Sequence, residues 1–368
     1  MNTPTGSSNF NFFKDRVKRI LPNSQAVALA LILIIGSILI YALSDILMPV
    51  FASIILAYLL LGIVEKLEKK LPRLAAVYLV FSGFLTCLGL FLFVLMPMIS
   101  SQAVQLVQRT PEIVKKAQAE IMRLPELHPQ YITENSVREI MNSVQVELIN
   151  FGQDLLSNSA DSFVGLVSAI IYLFLVPMMV FFFLKDKNTL LAWFVKFLPK
   201  DRNLTIKVWK EVDLQIANYV RGKFAEVLIL ASASYITYSF LDLNYAVLLS
   251  VLMGLSVVIP YVGATLVTFP VLGVAVMQWG FTADEFMYVA IAYSIIQAID
   301  GVVLIPLLFS EAVNLHPIAI IVAILFFGGL WGFWGVFFAI PLATAVKAII
   351  NAWPTLAESP QDTPYTPF

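Results

Sequence analysis

The sequence is poor in cysteine and in charge. Cys87 is the single cysteine and lies inside an apolar run, so no disulfide can form within the chain and we expect this thiol to serve in packing. Charged residues make up 13% of the 368 residues, and the formal net charge of -1 excludes the basic surface that nucleic acids require. The chain is instead rich in hydrocarbon, because 60% of its residues are hydrophobic. Such a composition is typical of a membrane protein.

The motifs of common enzymes are also missing from the sequence. It has no Gly-rich phosphate loop ending in Lys-Ser/Thr, no His-x-x-x-His or cysteine pair for a metal, and no Ser/His/Asp set on one side of the membrane. His316 precedes Pro317, a pair more typical of a helix start than of a proton relay. The sequence therefore predicts no enzyme, no cofactor and no metal site.

Eight apolar segments are long enough, or nearly so, to cross a bilayer as helices. They are residues 26–43, 46–64, 74–99, 163–184, 224–241, 245–279, 286–309 and 317–350. The sixth and eighth segments are too long for one membrane crossing and too short for two. Each contains helix breakers, Pro260 and Gly263 in the sixth and the glycines of residues 328–335 in the eighth. We therefore predict an all-α polytopic membrane protein in which these two segments are broken into helical hairpins.

The positions of lysine and arginine near the segment ends predict the orientation. These residues concentrate before the first segment, between the second and third, and after the fourth, so we place those stretches in the cytoplasm together with both termini. The long connection after the third segment contains fewer of them and shows amphipathic helical spacing, which indicates an extracytoplasmic helical insert. The predicted division is an N-terminal cytoplasmic segment 1–25, membrane segments 26–99, the insert 100–162, a membrane segment 163–184, a cytoplasmic amphipathic segment 185–223, membrane segments 224–350 and a C-terminal tail 351–368.

Ionisable side chains at membrane depth are functional candidates, because lipid tolerates them only when they are paired or hydrated. Asp300 lies in the middle of the seventh segment, three residues after Gln297, which places both on one helix face. Its alternative role is a structural carboxylate paired to a neighbouring helix. Glu226 lies near the start of the fifth segment and either belongs to a transport path or reaches the cytoplasmic boundary beside Arg221 and Lys223.

The break in the sixth segment adds polar groups of another kind. Pro260 and Gly263 would expose backbone carbonyls and amides, and Tyr261 and Thr265 offer hydroxyls beside them. A hydroxyl-rich substrate could exchange its hydration for these groups, whereas the alternative is a turn used only for packing. The predicted substrate or ion path therefore comprises Glu226, Pro260, Tyr261, Gly263, Thr265, Gln297 and Asp300.

Short motifs follow one another in order along residues 20–350. They are Phe183-Leu184-Lys185-Asp186, Leu198-Pro199, Val220-Arg221-Gly222-Lys223, Ile259-Pro260-Tyr261-Val262-Gly263, Gln297 with Asp300-Gly301, Pro306, Leu315-His316-Pro317, Gly332 to Gly335 and Ile340-Pro341-Leu342. This order and spacing resemble the autoinducer-2 exporter (AI-2E) family of bacterial inner-membrane permeases. Asp300 stands where members of that family often carry glutamate.

The resemblance implies a multi-span homo-oligomer of the cell inner membrane that exports the furanone-type quorum-sensing signal autoinducer-2. Some relatives are associated instead with sodium or proton antiport. We therefore expect a permease that exports a small polar solute, with autoinducer-2 as its candidate. The alternatives are a sodium/proton antiporter centred on Asp300 and Glu226, and a membrane scaffold that binds partners through the insert 100–162. Besides the solute or the ions, the lipid bilayer is the expected partner.

Overall fold

The computed structural model describes residues 35–36, 38, 41–121, 163–196, 203–260, 262–309 and 315–352. Within these residues the regular structure is entirely helical, and they contain no strand. Most of the first predicted segment, the insert beyond Ile121 and the candidate Tyr261 lie outside the described residues.

The described helices are numbered here in chain order. They are α1 (Ser44–Leu67), α2 (Arg73–Leu90), α3 (Met96–Ile121), α4 (Phe163–Lys185), α5 (Lys187–Val195), α6 (Asn203–Phe240), α7 (Ala246–Ser256), α8 (Val262–Trp279), α9 (Asp284–Ile299), α10 (Ile305–Phe309), α11 (Pro317–Phe337) and α12 (Ala339–Ala352). Two π-helical turns interrupt this series, the first at Phe91–Leu95 between α2 and α3 and the second at Asp300–Leu304 between α9 and α10.

Several of these helices are long and apolar enough to cross a bilayer. By length and composition, five stretches of the described chain qualify, and a sixth is added if the bent pair α4–α5 is one span. Large apolar side chains are exposed on their surfaces, such as Phe93 at 83% and Phe269 at 72%. Exposing so many apolar groups to water would be unfavourable, so lipid must cover them. The prediction of an all-α polytopic membrane protein is confirmed. The five stretches are Ile46–Leu67, Arg73–Arg109, Val262–Trp279, Asp284–Phe309 and Ile318–Phe337.

The chain divides into two compact units, of which the larger comprises residues 52–185 and 218–311. One core of this unit joins α6, α7, α8 and α9 around side chains such as Leu249, Met253, Val271 and Val289. A second core in the same unit joins α1, α2 and α4 around side chains that include Val64 and Val77. The smaller unit contains α5, α11 and α12.

The sixth predicted segment is a hairpin. Its first arm, α7, ends at Ser256, and its second arm, α8, begins at Val262. The far ends of the arms meet, because the Gln278 side chain accepts a hydrogen bond from Asn244 N at 2.9 Å and donates one to the Asp242 carbonyl at 2.7 Å. The two arms therefore form a hairpin, as the break at Pro260 and Gly263 predicted.

The eighth predicted segment is also broken. Trp331 and Gly332 leave the helical region inside α11, and Gly332 has a φ of +57°, a conformation that favours glycine. A separate helix, α12, begins at Ala339. The start of α11 matches its prediction, because the His316 Nδ1 atom accepts a hydrogen bond from Ile318 N at 3.3 Å.

At this second break, Gly335 cannot carry a side chain unless the backbone moves. A Cβ atom on Gly335 would lie 1.8 Å from the Phe327 carbonyl oxygen, whereas a Cβ on Gly329 of the same helix would meet nothing within 4 Å. We expect Gly335→Ala to lower the free energy of unfolding by about 3 kcal/mol because backbone must move. Gly329→Ala should leave it unchanged or slightly higher. Thermal denaturation of the purified variants checks this, and equal midpoints would contradict it.

Two helices run through positions at which the sequence predicted a change from membrane to solvent. α6 is continuous over 38 residues, about 57 Å, and contains both the end of the cytoplasmic amphipathic segment and the fifth apolar segment. α3 likewise extends from the third apolar segment into the insert. No helix end marks either boundary, because backbone hydrogen bonding continues wherever the next residue is helix-compatible.

Candidate functional site

Three charged side chains are buried together in the larger unit. Lys223 and Glu226 on α6 are 5% and 1% exposed, and Asp300 at the start of the second π turn is 7% exposed. The Nζ atom of Lys223 lies 2.7 Å from the Oε2 atom of Glu226, which forms an ion pair between positions i and i+3. Asp300 is close enough to interact electrostatically with both. We call these three residues the charged cluster.

Lys223 connects the charged cluster to the tip of the hairpin formed by α7 and α8. Its Nζ atom donates a hydrogen bond of 2.9 Å to the carbonyl of Val257, the residue that follows α7. Because α7 ends there, this carbonyl has lost the helical partner it would have in a continuous helix. The same Nζ atom lies 5.1 Å from the centre of the Phe309 ring, within the range of a cation–π contact.

Gly222 explains how Lys223 reaches this position. A Cβ atom there would lie 2.9 Å from Cε1 of Phe309 and 3.2 Å from the Leu308 carbonyl oxygen. Only glycine lets α6 approach α10 so closely, and this approach puts the neighbouring Lys223 against the Phe309 ring.

Asp300 leaves the charged cluster unbalanced. Its Oδ1 atom is buried and has no hydrogen-bond partner within the described part of the chain. With both carboxyl groups ionised, the cluster contains two negative charges and one positive charge. Buried polar atoms nearly always have a partner, and a charge at membrane depth demands one. The Oδ1 atom can therefore accept a further hydrogen bond.

A hydroxyl and amide network lies beside the charged cluster and joins α8 to α9. The Tyr293 hydroxyl lies 2.7 Å from both the Ala264 carbonyl and the Thr268 hydroxyl, and it accepts a hydrogen bond of 2.9 Å from the Gln297 amide. The same amide contacts the Met253 sulfur on α7 at 3.6 Å. Gln297 therefore contacts α7 directly and α8 through Tyr293.

The structure brings some of the predicted site residues together. Glu226 and Asp300 belong to the charged cluster, and Gln297 lies one helical turn before Asp300 in the neighbouring network. Pro260 and Gly263 form the hairpin tip, where a Cβ on Gly263 would lie 1.7 Å from the Ser256 carbonyl oxygen. The side chain of Thr265 is exposed on α8.

Lys223 itself was missed by sequence reasoning. We assigned it to the cytoplasmic segment because clustered lysines and arginines usually mark the membrane boundary. Glu226 is buried and forms its ion pair with Lys223, which is buried as well. The spacing of the two residues, three apart on one helix, is the signal that could have paired them. No comparable sequence pattern indicated that the hydroxyl groups of Tyr293 and Thr268 lie beside the charged cluster.

A pocket of about 380 Å³ lies at the other end of the hairpin, beside the turn between α6 and α7. Its charged group is Arg109, and most of its other lining side chains can form hydrogen bonds. By the predicted orientation this is the extracytoplasmic end, so we call it the outer pocket. Its lining residues are Met98, Ser101, Gln102, Gln105, Arg109, Asn244 and Tyr245.

The wall of the outer pocket is held in a strained conformation. Asp242 and Tyr245 have φ values of 51° and 59°, which side-chain-bearing residues rarely adopt. The Gln278 side chain bonds to Asn244 N and to the Asp242 carbonyl of this turn. The Gln102 side chain accepts a hydrogen bond of 2.8 Å from Leu248 N in the first turn of α7. Strain of this kind persists where surrounding contacts enforce it, and it is common at binding sites.

Buried charges at the tip of a broken helix, inside a protein with several membrane spans, are typical of membrane transporters. The comparison with known families agrees, since the model described as "AI-2E family transporter" matches residues 29–355. The chain belongs to the AI-2E transporter family, which is not a class of enzymes.

Curated relatives in two bacteria share most of their length with this chain. A protein named as a permease, PerM of Escherichia coli K12, is 42% identical over 92% of this chain and 96% of its own. A protein named as a transport protein, YueF of Bacillus subtilis, is 28% identical over 83% of each chain. The AI-2 transport protein TqsA of Escherichia coli K12 is 21% identical over 84% of this chain and 86% of its own.

Proposed function

We propose that this permease exports a small polar solute rich in hydroxyl groups, past the charged cluster and the hairpin tip. The observation that carries the proposal is the Oδ1 atom of Asp300, buried and without a hydrogen-bond partner in the described chain, beside a helix break. A solute hydroxyl would supply the missing donor. The Val257 carbonyl at the hairpin tip and the amide group of Gln297, which contacts α7, offer further hydrogen bonds. A solute that makes these bonds could leave its hydration shell without a large loss of free energy.

Autoinducer-2 is the candidate solute, because it is polar and one relative is named for its transport. That relative shares 21% of its residues with this chain, so its name supports the candidate without deciding among polar solutes. We place the protein in the bacterial inner membrane with both termini in the cytoplasm, as the lysine and arginine pattern indicates. We further propose that it forms a homo-oligomer.

The outer pocket is proposed as the extracytoplasmic end of the path. Gln105 and Gln108 are both exposed on α3, but Gln105 lines the pocket and Gln108 does not. If solute hydrogen-bonds to Gln105 on its way out, Gln105→Leu should reduce solute flux by up to about tenfold. Gln108→Leu is the matched control and should leave the flux unchanged. Equal flux in the two variants, measured in liposomes, would remove the outer pocket from the path.

The proposed function is tested by reconstitution. Purified protein is placed in liposomes loaded with autoinducer-2 and with a panel of other hydroxylated solutes, with and without imposed sodium and proton gradients. We expect saturable efflux of at least one hydroxylated solute. Sodium-dependent proton movement without solute efflux would replace the proposal with antiport. No flux of any kind, with cellular function lost on deletion of residues 100–162, would favour the scaffold.

A further inference from the structure

We infer that Lys223 is a positioning residue that latches the tip of the α7–α8 hairpin and releases it by moving its ammonium group to Asp300. The inference rests on the proposed function in one respect, namely that the tip moves when solute passes. The latch itself is a property of the hairpin and can be measured without any solute.

The latched position is the one that the structure shows. The ammonium group of Lys223 bonds the Val257 carbonyl at 2.9 Å, pairs with Glu226 at 2.7 Å and faces the Phe309 ring. Hydrogen bonds of charged donors are about twice as strong as neutral ones, and this one ties the hairpin tip to α6. The backbone hydrogen bonds of the tip, such as Gly263 N to the Ile259 carbonyl, stay within the hairpin, and the adjacent Ala264 carbonyl is bonded by Tyr293 of α9 and not by α6.

Asp300 provides the second position. Its Oδ1 atom, which has no hydrogen-bond partner in the described chain, and its electrostatic interaction with Lys223 make it the acceptor that the ammonium group would find on leaving Val257. A lysine can make this change because its ammonium group sits on a flexible four-carbon stem. The total charge of the cluster is the same in both positions, so no ion has to enter. Glu226 and Asp300 then alternate as the closer counterion.

Release of Val257 would free the tip from α6. Solute that bonds to Asp300 would compete with Lys223 for the same carboxylate and return the ammonium group to the carbonyl. A bound solute would thus hold the latch closed, whereas in the empty site the ammonium group could exchange between the two positions. A purely structural Lys223 would instead keep the tip fixed in both conditions.

The rate at which a cysteine at the tip reacts with a small thiol reagent reports the latch. Val257→Cys keeps the backbone carbonyl and puts a thiol, called here the tip thiol, at a position that is 7% exposed. Cys87→Ser removes the native thiol, which is exposed. A separate Val274→Cys variant puts a thiol on α8 at a position that is 1% exposed and away from the tip. This second thiol, called the control thiol, detects general loosening of the fold.

Each thiol is measured with and without Lys223→Met combined with Glu226→Gln, a pair of changes that removes both partners of the ion pair together. We expect this combined variant to fold and its tip thiol to react at least about tenfold faster than in the protein that retains Lys223 and Glu226. The control thiol should react at an unchanged rate. An unchanged rate at the tip thiol would overturn the latch, and so would an equal increase at both thiols.

Asp300→Asn should have the opposite effect and slow the reaction of the tip thiol, because the second position then lacks a full negative charge. This measurement stands by itself if the combined variant does not fold. An unchanged rate at the tip thiol in Asp300→Asn would also overturn the inference.

Failure of the proposed function looks different from failure of the latch. If no hydroxylated solute leaves liposomes but the tip thiol responds as stated, the latch stands and another cargo is implied. If solute leaves and the tip thiol does not respond, export stands and the latch is wrong.

Discussion

A Gly263→Ala variant is expected to lose both stability and transport. The added Cβ would lie 1.7 Å from the oxygen and 2.5 Å from the carbon of the Ser256 carbonyl, so the two arms of the hairpin would have to separate at the tip. Backbone cannot rotate away as a side chain can, and we expect the free energy of unfolding to fall by about 3 kcal/mol. Thermal denaturation and solute efflux from liposomes measure the two losses.

Gly273→Ala is the matched control for this change. Gly273 lies on the same helix, α8, and a Cβ atom there would meet nothing within 4 Å. Since alanine favours helix more than glycine does, by about 1 kcal/mol, this variant should be as stable as the parent protein or slightly more stable. If the two alanine variants have the same thermal midpoint, the tight tip does not exist as described.

Glu226→Gln and Asp300→Asn are expected to have opposite effects on stability although each removes one buried carboxylate. Glu226→Gln takes the anion away from an ammonium group 2.7 Å distant, and breaking a buried pair in this way should lower the free energy of unfolding by about 3–5 kcal/mol. Asp300→Asn leaves the Lys223–Glu226 pair intact and removes the excess negative charge. Its thermal midpoint should be unchanged or higher.

This contrast separates the two roles that sequence reasoning left open for Asp300. A structural carboxylate, paired to a neighbouring helix, would make Asp300→Asn as destabilising as Glu226→Gln. A site residue held without a partner for the sake of transport should be dispensable for folding, as strained or unsatisfied functional groups often are. Denaturation of both variants in the same lipid or detergent decides between them.

The sequence predicted the architecture well where local chemistry determines it. Pro260 lies in the break between α7 and α8, where the sequence predicted an interruption of the helix. The φ of +57° at Gly332 and the cap on α11 by His316 follow from equally local rules. These features need no knowledge of what packs around them.

The charged cluster could be predicted only in part, because its assembly depends on contacts distant in sequence. Nothing local shows that the Val257 carbonyl accepts a hydrogen bond from Lys223, or that Gly222 lets Phe309 cover the ammonium group. Lysines near the end of a membrane span are usually assigned to the solvated boundary, and this rule led us to misplace Lys223. The outer pocket was missed for a similar reason, because its lining comes from α3 and from the α6–α7 turn.

The central claim is that solute crosses the membrane past the carboxylate of Asp300. Its most direct measurement is the efflux of a hydroxylated solute from liposomes that contain either the parent protein or Asp300→Asn, with folding of both verified by thermal denaturation. We predict saturable efflux through the parent protein and none above the protein-free background through a fully folded Asp300→Asn. Efflux through that variant at the parental rate would contradict the claim.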